Sequence, residues 1–208
     1  MKNSIIRMSL VIAVVALSVA AFSTPASAQF YFGGKGTAFL PNNSNDGLKD
    51  FDTGYGGEAF AGYRFIPYFG LETGVGYFQS KGSESDSGVK GEVTVSAIPV
   101  TLTAKGFLPL GERARLYAGA GVGMYFAKAK VELSADIDGV KFSISDEDDA
   151  SAFGYHAVLG GEFMVSSAVG LQAEAKWFKV EPEFSDDISD GKTDFGGVML
   201  SFGVLFQI

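Results

Sequence analysis

Apolar and polar residues alternate along most of the chain with a period of two. The final segment, GGVMLSFGVLFQI, shows the pattern clearly. One of its faces holds Val198, Leu200, Phe202, Val204, Phe206 and Ile208, and between them lie Gly197, Ser201, Gly203 and Gln207. Such alternation is typical of a β-strand, whose successive side chains point to opposite faces.

Eight segments of this kind are predicted as strands, and no segment shows the period of 3.6 residues that is typical of an amphipathic helix. They cover residues 30–40, 54–65, 68–79, 93–107, 113–128, 151–164, 169–178 and 193–208. One face of each strand is apolar, and the other carries charged residues among many glycines. A soluble barrel of the lipocalin kind would turn its apolar face inward, so alternation alone leaves that alternative open.

The connections between the strands favour a membrane barrel. Joins such as IPY, LPLGE and VSSA are short, and they alternate with long acidic connections. The long connections are predicted at residues 41–53, 79–92, 128–151 and 179–194. They hold 19 of the 24 acidic residues and only 8 basic ones, a net charge of −11. Short periplasmic turns and long extracellular loops are the pattern of an outer-membrane barrel, whose strands need ~9 to 11 residues to cross.

The first 28 residues form a separate segment. Lys2 and Arg7 precede an apolar run, and the small residues Ala26, Ser27 and Ala28 follow it. This order is typical of a cleaved secretory signal peptide, so residues 1–28 are predicted to be removed and residues 29–208 to form one barrel domain. The chain has no cysteine, so a disulfide framework is excluded.

The charged residues of the predicted strands are nearly balanced in sign, and together they form a predicted lumen charge cluster with a structural role. The cluster consists of Lys35, Glu58, Arg64, Glu72, Lys105, Arg115, His156, Glu162, Glu174 and Lys176. Unpaired charges away from water cost several kcal/mol. The balance therefore predicts ion pairs that fill a narrow interior.

The mature chain resembles a known family, the small eight-stranded outer-membrane β-barrels of the OmpA/OmpX type. The resemblance rests on RFIPYFGLETGVGY with its Pro-Tyr turn, on PVTLTAKGFLPLG, on LYAGAGVGMYF and on the closing strand. It implies an all-β protein, an eight-stranded antiparallel transmembrane up-and-down barrel in the outer membrane of a Gram-negative bacterium, exported through the periplasm. It also implies contact with outer-membrane lipid and lipopolysaccharide. Barrel assembly machinery would read the last strand near Phe206 and Ile208, although the family usually ends on Phe or Trp.

No catalytic site, cofactor or metal site is predicted. His156 is the only histidine, and its parity places it in the lumen with Glu162. The family includes a Ser-His-acid lipid hydrolase, whose His and Ser face the membrane, so an interior hydrogen-bonded His156 is favoured here. Acidic runs at 146–149 and 186–190 could bind calcium or magnesium, but they lack the spacing of a calcium loop. No basic patch indicates nucleic acid.

One connection carries a specific structural signal. Asp138-Gly139 lies between two alternating runs and predicts a type I′ hairpin. Strands five and six are expected to continue beyond the membrane until the acidic run at 146–149 breaks their regularity. Residues 131–145 are a candidate interaction element, with a mobile loop as the alternative.

The predicted function is that of a monomeric, non-enzymatic outer-membrane protein with a structural or surface-interaction role through its acidic loops. The alternative is a porin-like or OmpW-like narrow channel for small or apolar solutes.

Overall fold

The computed structural model describes residues 29–41, 53–86, 89–137, 140–180 and 195–208. These residues form eight strands: β1 (Gln29–Pro41), β2 (Gly54–Ile66), β3 (Phe69–Asp86), β4 (Val89–Pro109), β5 (Ala114–Ile137), β6 (Val140–Met164), β7 (Val169–Val180) and β8 (Phe195–Gln207). Each strand pairs antiparallel with the next, and β8 pairs with β1. The predicted eight-stranded antiparallel barrel is confirmed. Within the described part of the chain, no helix is long and apolar enough to cross a membrane.

Strand β8 pairs with β1 and so closes the sheet into a barrel. Phe32 lies directly opposite Phe206, and their rings stack on the outer wall with centroids 5.5 Å apart. Beyond the strand, the backbone N–H of Ile208 donates to the carbonyl oxygen of Phe30 at 2.9 Å. Closure satisfies backbone groups that would otherwise face lipid without a partner.

The outer wall is apolar, as the alternation predicts. Exposed large side chains on it include Phe153, Leu159, Phe202, Leu102, Leu200 and Trp177. Within the same strands, the residues of opposite parity are buried. The inner face of β8 is nevertheless less polar than the sequence suggests, because Met199 and Leu205 point inward and are buried.

The turns at one end of the barrel are short, and this end is the periplasmic one in a barrel of this kind. Pro67 and Tyr68 join β2 to β3, residues 110–113 join β4 to β5, and residues 165–168 join β6 to β7. Gly111 adopts a φ of +89°, a conformation that favours glycine. Both chain ends of the barrel, Gln29 and Gln207, lie at this end.

At the opposite end, four strands are longer than predicted, so two predicted loops are wrong in part. Residues 79–86 belong to β3, and most of 128–151 belongs to β5 and β6. The acidic run at 146–149 does not break the pairing of β5 with β6. The pairs continue without interruption from Val131 opposite Asp146 to Lys128 opposite Asp149. In this part of the hairpin the register sets Lys128 opposite Asp149 and residue 130 opposite residue 147.

The extended strands form a raised sheet, defined here as the parts of β3, β4, β5 and β6 that continue past the ends of their neighbours β2 and β7. The predicted turn residues Asp138 and Gly139 lie outside the described residues, but Ile137 and Val140 on either side of them are paired. Most of the predicted loops at 41–53 and 179–194, namely residues 42–52 and 181–194, and the predicted signal peptide at 1–28 also lie outside the described residues.

Candidate functional site in the barrel interior

An ion-pair network fills the middle of the barrel. The ammonium of Lys35 lies 2.7 Å from Oε1 of Glu174, 2.9 Å from Oε1 of Glu58 and 3.9 Å from Oε1 of Glu72. These side chains come from four different strands. Their relative exposures are 1% for Lys35 and 0% to 7% for the three carboxylates, so they interact away from solvent.

Two further lysines complete the network and balance its charge. Lys105 contacts Glu72 at 2.6 Å and Glu174 at 3.2 Å. Lys176 contacts Glu58 at 2.7 Å. Three lysines thus face three glutamates. A buried ion pair is stable only when its geometry is good and its remaining hydrogen-bonding groups are satisfied, and this network meets the first condition.

Aromatic side chains close the barrel on the extracellular side of the network. Phe39, Phe78, Tyr125 and Phe178 point inward and are at most 3% exposed. The rings of Tyr125 and Phe178 stack with centroids 5.6 Å apart, and Phe39 packs against Phe178 at the same centroid distance. We call these four residues the upper aromatic cluster.

A second group of rings lies on the periplasmic side of the network. Tyr31, Phe107 and Tyr117 are buried there. The hydroxyl of Tyr117 donates to Oε2 of Glu174 at 3.0 Å, and the Lys105 ammonium lies 4.3 Å from the Tyr117 ring centroid. Such cation–π contacts stabilise a desolvated cation by about 2 kcal/mol or more.

The inward glycines accommodate these large side chains. Tyr31 lies opposite Gly62 in the register, and Tyr117 lies opposite Gly160. A Cβ atom added at either glycine would overlap the facing tyrosine ring. Gly74, Gly76, Gly119 and Gly121 also face occupied space, so they leave no room for a channel at these positions. A Cβ at Gly74 would lie 2.8 Å from Oε1 of Glu58.

The periplasmic mouth of the barrel holds two guanidinium groups and one carboxylate. An Nη atom of Arg64 lies 2.7 Å from Oε2 of Glu162, and Nε of Arg115 lies 3.5 Å from the same oxygen. The side-chain oxygen of Gln207 accepts from Arg64 at 3.4 Å and from Arg115 at 3.0 Å. A cavity of about 580 Å³ adjoins these groups.

The structure places His156 in the lumen, where it is 2% exposed. Its Nε2 is 2.8 Å from the hydroxyl oxygen of Thr103. The ring covers Gly121 on the neighbouring strand. His156 does not face the membrane, so it cannot form the membrane-facing pair of His and Ser that the lipid hydrolase of the resembled family uses. Among the described residues, no group of three His, Asp or Glu side chains could hold a metal ion.

All ten residues of the predicted lumen charge cluster point into the barrel. Nine are buried, and the side chain of Arg115 is 17% exposed at the mouth. The structure separates them into the central network, the mouth group of Arg64, Arg115 and Glu162, and His156. Sequence reasoning missed the upper aromatic cluster. Parity could have found it, because Phe39 lies four residues from Lys35 and Phe178 lies two residues from Lys176.

A sequence model of a protein family, described as outer membrane protein beta-barrel domain, matches residues 9–206 of the chain. The chain belongs to this family. As a member of it, the protein is located in the bacterial outer membrane, where its apolar wall contacts lipid. The family resemblance predicted from the sequence is therefore confirmed.

One curated protein and two solved structures are similar to this chain. The putative adhesin RC1281 of Rickettsia conorii is 27% identical over 176 residues, which cover 78% of this chain and 69% of the relative. Neisserial surface protein A superposes with a TM-score of 0.55 at 18% identity, covering 85% of this chain and 96% of that one. The outer membrane protein OprG from Pseudomonas aeruginosa gives 0.55 at 16% identity, covering 89% and 98%. These two solved structures support the fold.

Proposed function

We propose that the protein is a non-enzymatic surface scaffold, in which a closed barrel anchors the raised sheet for contact with an external partner. The observation that carries the proposal is the extension of β3 to β6 beyond the neighbouring strands. The relative that is named a putative adhesin supports the same function. The predicted long connections carry a net charge of −11. A partner with a basic surface would therefore be attracted to them more strongly than a partner with an acidic surface.

The raised sheet has two edges at which another strand could pair. The last pair between β2 and β3 joins Tyr55 and Gln79, and β3 continues to Asp86. The last pair between β6 and β7 joins Gly154 and Val180, so residues 140–153 have no second neighbour among the described strands. Exposed edges offer backbone donors and acceptors to a foreign strand, and this is a known mode of protein recognition.

The closed interior favours a scaffold over a narrow channel. The upper aromatic cluster and the central ion-pair network lie in series, and both are buried. Eight-stranded barrels have an interior that side chains can just fill. An ion entering the barrel would have to displace stacked rings and then disrupt paired charges.

The test shortens the hairpin formed by β5 and β6 without changing its register. Val131 and Asp146 are cross-strand partners, six residues from the partners Ile137 and Val140 on either side of residues 138 and 139. An even shift keeps the same type of antiparallel pair, so replacing 132–145 with Asn-Gly should form a type I′ turn. This removes nearly all of the candidate element at 131–145.

Bacteria that display the native or the shortened protein are compared for adhesion to cultured epithelial cells. The proposal predicts that the shortened protein loses most of the adhesion gained with the native protein. A second variant tests the other edge of the raised sheet by shortening the β3–β4 hairpin, in which Asn-Gly replaces 83–92 between the partners Gly82 and Val93. Equal adhesion of the native protein and the variant without 132–145, at equal surface levels, would contradict the assignment to this hairpin.

Further partners follow from the same proposal. Residues 1–28 would direct export and be removed. Barrel assembly machinery would bind the last strand near Phe206 and Ile208, both of which are exposed on the outer wall. The folded protein would stand as a monomer among outer-membrane lipid and lipopolysaccharide, with no cofactor and no bound nucleic acid.

A further inference from the structure

The periplasmic mouth differs from the central network in its balance of charge. In the network three lysines face three glutamates, whereas at the mouth Arg64 and Arg115 share the single carboxylate of Glu162. Both contacts fall on the same oxygen, Oε2, at 2.7 and 3.5 Å. Arg113 also lines the mouth, and it has no ion pair among the described residues. The lining of the cavity at the mouth contains one acid, Glu112 in the exposed turn.

Several hydrogen-bonding atoms at the mouth have no protein partner. Arg64 is 1% exposed, yet its Nε has no hydrogen bond among the described residues. The other hydrogen bonds of the two guanidiniums are to neutral amide oxygens, of Gln29 at 3.0 Å and of Gln207 at 3.0 and 3.4 Å. The Arg64 guanidinium also lies 4.5 Å from the Tyr31 ring centroid and 4.8 Å from the Phe107 ring centroid. Neither amide oxygens nor ring faces carry a full negative charge, so two guanidiniums that share one carboxylate leave the mouth with a net positive charge.

The cavity beside these groups is large enough to hold a small ligand. It measures about 580 Å³, opens at the end of the barrel with the short turns, and has Arg64, Arg113 and Arg115 among its lining residues. A molecule that binds these guanidiniums in addition to Glu162 would have to be an anion. Arginine binds carboxylate and phosphate groups through charge-assisted, often bidentate hydrogen bonds.

We propose that the mouth formed by Arg64, Arg113 and Arg115 binds the oxyanion group of a ligand, a carboxylate or a phosphate, on the periplasmic side of the membrane. This site is independent of the raised sheet at the opposite end. The oxyanion can belong to a soluble periplasmic molecule or to the headgroup of a lipid in the inner leaflet of the outer membrane. The two sources share one chemistry and are separated by the test.

The test observes the guanidinium of Arg64 directly. Full-length mature protein with ¹⁵N-labelled arginine is placed in maltoside micelles, which contain no phosphate, and inorganic phosphate is added while chloride keeps the ionic strength constant. The proposal predicts a saturable shift of the Arg64 Nε–Hε resonance. Substitution Arg115→Gln should weaken phosphate binding about tenfold, which corresponds to about 1.4 kcal/mol.

Two further variants keep the test decisive. Arg113→Gln changes an exposed side chain that makes no hydrogen bond or ion pair among the described residues, so the variant should fold, and it should weaken binding about threefold. Lys81→Gln makes the same change of charge on the extracellular part of β3 and should leave binding unchanged. If Arg115→Gln does not fold, Arg113→Gln carries the comparison.

A lipid source is tested by transfer to bilayer discs that contain phosphatidylglycerol, without free phosphate. A shift of the Arg64 resonance there, together with loss of the response to added phosphate, assigns the site to a lipid headgroup. A response to phosphate that persists in the discs assigns it to a soluble anion. The proposal is overturned if neither condition shifts the resonance, or if Lys81→Gln weakens binding as much as Arg113→Gln does.

Discussion

Glu174 is the residue whose charge matters most to the central network. Its carboxylate accepts from Lys35 at 2.7 Å, from Lys105 at 3.2 Å and from the Tyr117 hydroxyl at 3.0 Å. The substitution Glu174→Gln keeps the size of the side chain and removes its charge. Three buried lysines would then face two carboxylates, and an amide N–H₂ would lie close to an ammonium.

The expected loss of stability follows from this imbalance. Removal of one partner from a buried ion pair costs about 3–5 kcal/mol, because the other charge stays buried without compensation. Glu174 is fully buried and serves two lysines, so we expect a loss near the upper end of this range. Glu112→Gln is the control, because Glu112 lies in the exposed turn between β4 and β5, where substitutions change stability by about 0.5 kcal/mol or less.

The assay is urea unfolding of the refolded protein in lipid vesicles, followed by fluorescence. The chain has a single tryptophan, Trp177, so the signal reports one position on β7. The free energy of unfolding is obtained by linear extrapolation for the native protein and for both variants. If Glu174→Gln lowers the free energy of unfolding by less than about 1 kcal/mol, the reasoning is refuted. So small a loss would show that the charge of Glu174 interacts only weakly with the lysines and that the network is not closed to water.

Other predictions address the network, the glycines and the membrane wall. Glu58→Gln alone should destabilise the barrel by about 3 kcal/mol, and adding Lys176→Met should restore at least half of that loss in the same unfolding assay, because the second change removes the unpaired ammonium. Gly160→Ala should cost about 1–3 kcal/mol, since its Cβ overlaps a tyrosine ring, whereas Gly36→Ala, whose Cβ would lie 4.0 Å from its nearest neighbour, should be neutral; equal effects would refute the close packing. Trp177 is 45% exposed on the outer wall, so lipids with brominated acyl chains should quench its fluorescence, and absence of quenching would contradict its contact with lipid.

The sequence predicts the membrane part of the barrel well because one property, a period of two, decides it. β1 was expected at 30–40 and spans Gln29–Pro41, and β7 was expected at 169–178 and spans Val169–Val180. A shift of one residue in the register of a strand would turn its charged side chains toward lipid, so the alternating pattern determines which face of each strand points inward. The inward position of Lys35 and of the other strand charges follows from the same parity.

Partners and strand ends are harder to predict. Lys35 and Glu174 are 139 residues apart, and parity assigns a face without the stagger between strands that brings them together. The sequence does not predict where β3 to β6 end, because acidic residues favour loops, whereas antiparallel pairing continues through them here. The cavity at the mouth depends on how Arg64 and Arg115 pack around Glu162, and local sequence does not show this.

The central claim is that the barrel interior is closed. The most direct test is single-channel conductance of the refolded protein in a planar bilayer, alongside Glu174→Gln and Arg115→Gln. We expect no steady conductance from protein whose folding is shown by its resistance to SDS before boiling. A steady conductance that changes with Glu174→Gln would contradict the claim, because it would show a water path through the charged interior.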